Sequence, residues 1–270
     1  MERVPYIAVL AFYAVVLLAH LLPSVVPGGL RDRVRVIAGI GVLLHVGTLI
    51  EGAVFSAWSP GLPEALSACS LGVMVAYFFV AHGAQRALGI LLAPLAMVAL
   101  GTALVVPNAT VTALENSAGD AINPWLPIHL GLLFAGVAGF ALSSAVGVLY
   151  LYVRDMLKKK RFDRIGRLPS LEALDRIQFR AMLFGFIALT LGIGAGGALA
   201  TASLQQSWAL DPKVLYTLAV WFWYFVALQA RLILGRRGRW TANFSIVGFG
   251  ALVFSLIGLN FILQSWHAYG

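Results

Sequence analysis

The chain has 270 residues, of which 60% are hydrophobic and only 11% charged. Soluble domains carry roughly a quarter of their residues as Asp, Glu, Lys and Arg, so this chain has too little charge to cover a water-facing surface. That excludes a cytosolic enzyme, a secreted module and a disordered tail, and predicts an all-α integral membrane protein. Cys69 is the sole cysteine, which rules out a disulfide framework or a Cys-rich metal centre.

A spanning helix needs about 20 mostly apolar residues to cross about 30 Å of hydrocarbon. Eight such runs occur, at 5–26, 36–58, 63–81, 87–106, 124–153, 178–204, 212–234 and 241–267. They predict a bundle of eight transmembrane helices in a single domain over residues 1–270. The first run lacks a basic leader and ends at Pro27-Gly28-Gly29 and Arg31, so it reads as a span and not a cleaved signal. The third is the most polar, holding Glu64 and two serines, and the fifth is long enough to tilt or to continue past the membrane.

Orientation follows from the bases, which collect in short cytoplasmic loops. With the N-terminus outside, every one of the 19 Lys and Arg residues except Arg3 and Lys213 falls on the inner side. Both termini are therefore expected on the outer side. The formal charge of +8 is then topology and a lipid-facing rim, with no nucleic-acid role. The basic inner stretch from Lys158-Lys159-Lys160-Arg161 to Glu172 reads as a solvated juxtamembrane face, with a docking surface for a soluble partner as the alternative, and Ser170 is placed to cap a helix starting at Leu171. The outer loop at 107–123 carries Glu115 and Asp120 and no base. Glycines at 136, 139 and 147 and at 192, 194, 196 and 197 permit close helix approach in the fifth and sixth runs.

Ionisable groups inside a membrane are costly and point to function. All five histidines lie in or at the end of a run. His129, roughly 7 Å down from the start of the fifth run, and His267, at the end of the eighth, share one depth at the outer face. Two imidazoles on facing helices can ligate a haem iron, and each has a tryptophan close by, Trp125 and Trp266. The competing reading is a hydrogen-bonding histidine between helices. His20 and His45 form a second candidate pair nearer the inner side, with Gln229 a little shallower. His82 reads as a terminal cap or interfacial residue, and Glu51 as a group that orients a histidine or reaches outward. No run holds two histidines, which argues against an electron-transfer cytochrome b. Asp211 and Pro212 read as ordinary helix-start chemistry. Lys213, near Trp208 and Trp221, suits a planar macrocycle bearing carboxylates.

Several stretches together resemble the cytochrome c assembly proteins of the small haem-handling type. They are Trp125-Leu126-Pro127-Ile128-His129-Leu130, the segment from Trp208 to Lys213, Gly258-Leu259-Asn260, and the ending Trp266-His267-Ala268-Tyr269-Gly270. Leu168-Pro169-Ser170-Leu171-Glu172 and Gly235-Arg236-Arg237-Gly238-Arg239 add to the resemblance. It implies an eight-span bundle that binds haem (b-type, non-covalent) at its outer face, with His129 and His267 on the iron. Trp125, Trp208 and Trp266 would then flank the ring, with Asp211 and Lys213 in the same segment and Lys213 meeting a propionate. Two departures distinguish this chain. Full synthases have a longer tryptophan-rich run with Glu after Asp-Pro-Lys, where Val214 stands here, and a histidine where this chain has Gln229. The resemblance therefore implies a haem carrier in a bacterial inner membrane, serving cytochrome c assembly or haem homeostasis, and not a complete synthase. Its expected partners are haem, an apocytochrome c or another assembly protein, and the lipid bilayer. Two alternatives belong to other classes: a haem-sensing anchor that holds a soluble haem-biosynthesis enzyme at the basic inner loop, and a transporter of another small substrate.

Overall fold

The computed structural model describes residues 3–22, 29, 33–55, 62–105, 125–161, 168–202 and 212–254. Among them are eight α-helices, one short 3-10 helix and no strand. The helices are α1 (Arg3–Leu21), α2 (Val34–Phe55), α3 (Leu62–Val80), α4 (Gly89–Val105), α5 (Trp125–Lys158), α6 (Leu171–Ala202), α7 (Pro212–Leu232) and α8 (Arg239–Val253). Each overlaps one of the expected runs. Six helical stretches are long and apolar enough to cross a membrane, in α2, α3, α5, α6 and α7 and in α4 taken with the 3-10 helix before it (Gly83–Val105), and α1 contributes a shorter apolar stretch, Pro5–Leu21. The described residues are thus those of a helical membrane protein. It divides into two compact units, Met1–Ile122 with Gly166–Pro169, and Asn123–Ile165 with Ser170–Gly270.

In the first unit α1 packs on α2 and α4, and α3 packs on α2 and α4. Helix α1 buries Tyr6, Val9, Tyr13 and Val16, a spacing of three and four that keeps them on one face. Polar side chains are inside as well: His45, Ser67 and Ser70 are fully buried, while Leu43 is 72% and Phe79 67% exposed. A water-soluble domain arranges these the other way round. Apolar outside and polar inside is the pattern that hydrocarbon selects. Arg35 caps the end of α3, donating from Nε to the Phe78 carbonyl at 3.1 Å while its guanidinium lies over the Phe78 ring. His82 stands before the 3-10 helix (Gly83–Leu88) with no side-chain cap, so the expected capping role is not seen. Glu51 is exposed.

In the second unit α5 and α6 form the tightest pair, and α8 packs on α5 and α7. Their approach is set by glycine. A Cβ on Gly139 would lie 2.8 Å from the Gly185 backbone, and one on Gly136 3.2 Å from the Leu189 nitrogen. Helix α5 has 34 residues, roughly 50 Å at helical rise, and so outruns the hydrocarbon by several turns. Ser170 does cap α6: its Oγ accepts from the Ala173 N–H at 3.2 Å. The core holds Phe140, Met182, Tyr224 and Leu228, with Phe140 and Tyr224 stacked at 3.6 Å.

A clamp closes the end of this unit at the start of α6. Arg231 donates to both carboxylate oxygens of Asp175, at 2.9 and 2.7 Å, and its guanidinium sits 4.5 Å from the centre of the Phe179 ring. The Gly238 N–H donates to the same carboxylate at 3.1 Å. Glycine is required there. Its φ is 68°, and a Cβ would meet the Tyr150 hydroxyl at 2.5 Å.

Candidate functional site

The four described histidines meet different fates, and the contrast locates the site. His129 is on the first turns of α5, half-buried. Its Nδ1 lies 2.7 Å from the Gly192 carbonyl on α6. A carbonyl can only accept, so Nδ1 carries the proton. The neutral ring then presents Nε2 as a bare lone pair, and no described residue takes it. The ring edge lies against α6 at Gly196, where a Cβ would sit 2.6 Å from Cε1 and 2.8 Å from Nδ1. One turn along, Leu133 fills the matching space over Gly192. The antiparallel pair thus matches His129 with Gly196 and Leu133 with Gly192, four residues apart on each helix.

This is the usual arrangement of a ligating imidazole: one nitrogen anchored on a protein carbonyl, the other available to a metal. The donor chemistry is of the kind that would hold a haem iron. Among the described residues, no group of three or more His, Cys, Asp or Glu side chains forms a metal site built from protein ligands alone. Of the other residues expected here, Trp125 lies on α5 one turn before His129 and Lys213 in the first turn of α7; their side chains lie outside the described set. Trp208, Asp211, Trp266 and His267 also lie outside the described residues.

His45 is different. It is fully buried, with Nδ1 2.9 Å from the Tyr13 hydroxyl and Nε2 2.9 Å from Ser67 Oγ. A neutral imidazole has one donor and one acceptor, and both are in use. His20 has its Nε2 3.1 Å from the Tyr77 hydroxyl and its ring against Gly89 at the start of α4. The described bonds therefore lead His20 and His45 to separate partners. Tyr13, which holds His45, is two turns from His20 along α1, roughly 10 Å. Gln229 is half-buried on α7 beside Arg231. Depth along the helices suggested the His20–His45 pairing, but depth carries no information about which faces meet.

Sequence reasoning missed the hydroxyl partners Tyr13, Ser67 and Tyr77, and it treated Gly192 and Gly196 as generic packing. It also counted Arg231 among the surface bases, whereas its side chain is only 7% exposed. The available signal was Asp175, an acid three residues before the sixth apolar run.

Residues 58–267 match the family model described as cytochrome C assembly protein. The chain is 36% identical over 99 residues to a cytochrome c biogenesis protein CcsA of Gloeobacter violaceus, covering 37% of this chain and 29% of that protein. It is 30% identical over 149 residues to the CcsA of Prochlorococcus marinus strain MIT 9301, covering 55% of this chain and 45% of that one. For the CcsA of Chlamydomonas reinhardtii the figures are 29% over 148 residues, 54% and 40%. The chain thus matches less than half the length of each of these relatives. With the family model matched over most of its residues, the chain belongs to the cytochrome c assembly protein family.

Proposed function

We propose that this protein binds haem, b-type and non-covalently, at the end of the second unit where α5 begins and α6 ends. In this proposal it passes the haem on during cytochrome c biogenesis. His129 and His267 are the two axial ligands. Trp125, Trp208 and Trp266 line the ring, and Lys213, close after Asp211, meets a propionate. The chain crosses a bacterial cytoplasmic membrane eight times with both termini on the outer side. That places this end of the unit towards an apocytochrome c or another assembly protein.

The observation that carries the proposal is the His129 tautomer. Its Nδ1–H is held by the Gly192 carbonyl, so Nε2 is free to donate to iron without rearrangement. The names of the relatives, which concern cytochrome c biogenesis, agree with it. Iron supplies the affinity for two imidazoles; the protein supplies their position and a site half-shielded from water. Ligation without a covalent bond suits a carrier, because release then needs only the exchange of the two imidazole ligands and no bond to the ring is broken.

The test is the visible spectrum of the purified protein, oxidised and dithionite-reduced, beside His129→Ala and His267→Ala. A Soret band with sharp reduced α and β bands, lost or shifted in both variants, is expected. An unchanged spectrum in both would move the haem elsewhere, and a wild type that stays colourless with added haem would end the proposal.

A further inference from the structure

We infer that Gly192 and Gly196 of α6 are positioning residues for His129, which they hold in the tautomer and orientation an axial ligand needs. This rests on the haem reading above and goes further, because it assigns the tuning of the ligand to a second helix. Two contacts carry it. The Gly192 carbonyl accepts the Nδ1–H at 2.7 Å, and the space a side chain would occupy at Gly196 is filled by the ring itself, 2.6 Å from Cε1 and 2.8 Å from Nδ1.

The physical consequence runs through the bond. A mid-helix carbonyl ordinarily serves the N–H four residues on, here that of Gly196. Glycine at 196 lets the imidazole edge come close enough to share that carbonyl. Donating Nδ1–H makes the ring a stronger base at Nε2 and fixes its rotation. A stronger donor favours the ferric state, so α6 sets the reduction potential of the bound iron as well as its affinity. Any side chain at 196 must push the ring out of this berth. Two neighbouring glycines are natural controls, since neither a Cβ at Gly194 on the same helix nor one at Gly131 on α5 meets any described atom within 4 Å.

The experiment compares wild type, Gly196→Ala, Gly194→Ala and Gly131→Ala. In haem-free protein labelled with 15N-histidine, solid-state NMR is expected to show His129 with its proton on Nδ1 in wild type and both controls. In Gly196→Ala that tautomer is lost or mixed. In haem-loaded protein Gly196→Ala is expected to raise the midpoint potential and lower haem affinity by about tenfold or more, with the controls unchanged. The same substitution in a His129→Gly background supplied with free imidazole is expected to have little effect, because an untethered ring can shift. Three results would overturn the inference: a wild-type His129 protonated on Nε2; a Gly196→Ala protein matching wild type in both readouts; or an equal shift in the His129→Gly background. A wild type that binds no haem but keeps the Nδ1–H tautomer would instead refute the haem reading and reduce the berth to packing.

Discussion

Each unit of the molecule packs a histidine against a neighbouring helix, and the two are used in opposite ways. In the first unit His45 is fully enclosed, with a hydroxyl on each ring nitrogen, Tyr13 on one side and Ser67 on the other. In the second, His129 is half-buried, with one nitrogen on the Gly192 carbonyl and the other without a described partner. A buried imidazole with both nitrogens satisfied ties helices together and has nothing left to offer a metal. One with a single nitrogen anchored is already oriented for ligation, and its packing role is correspondingly smaller. Counting satisfied nitrogens separates a structural histidine from a candidate ligand more sharply than depth in the membrane does.

The comparison can be broken in three places. The largest effect is expected at neither histidine but at the clamp, which lies at the opposite end of α6 from His129. Arg231→Ala leaves Asp175 half-enclosed without its bidentate partner, and breaking such a pair costs about 3–5 kcal/mol. An Asp175→Leu, Arg231→Met double variant should lose much less. Thermal unfolding in detergent would rank the two variants against wild type, and equal losses would show that the ion pair itself is not what matters. His45→Ala comes next. It removes a packed ring and strands two buried hydroxyls, at a cost of about 2–4 kcal/mol. Its haem spectrum should nevertheless stay as in wild type, so a lost Soret band with intact folding would reverse the assignment. His129→Ala is the mirror image. It should cost about 1 kcal/mol, one hydrogen bond at a half-buried position, while abolishing or shifting the spectrum.

Much of the fold was legible in the residues. Apolar runs of membrane length gave all eight described helices, because hydrocarbon requires every backbone group to be satisfied within its own helix. Ser170 announced the start of α6 because capping is a local interaction between a hydroxyl and a backbone amide three residues on. His129 and its flanking Trp125 stood out for the same reason that polar groups in apolar runs always do. The described bonds take His20 to Tyr77 and His45 to Tyr13 and Ser67, and Arg231 is buried. Neither outcome is encoded in spacing along one helix.

The sequence by itself determined that this is a helical membrane protein, where most of its helices run and which few groups are polar enough to carry chemistry. Those are properties of composition and of local backbone physics. Only the tertiary structure decided what each histidine touches, and so what it can do. A one-residue rotation of a helix, about 100°, changes every partner on its face without changing its hydropathy. Tyr13 and Ser67 reached His45, and a glycine-lined face of α6 reached His129, through packing between helices far apart in the chain.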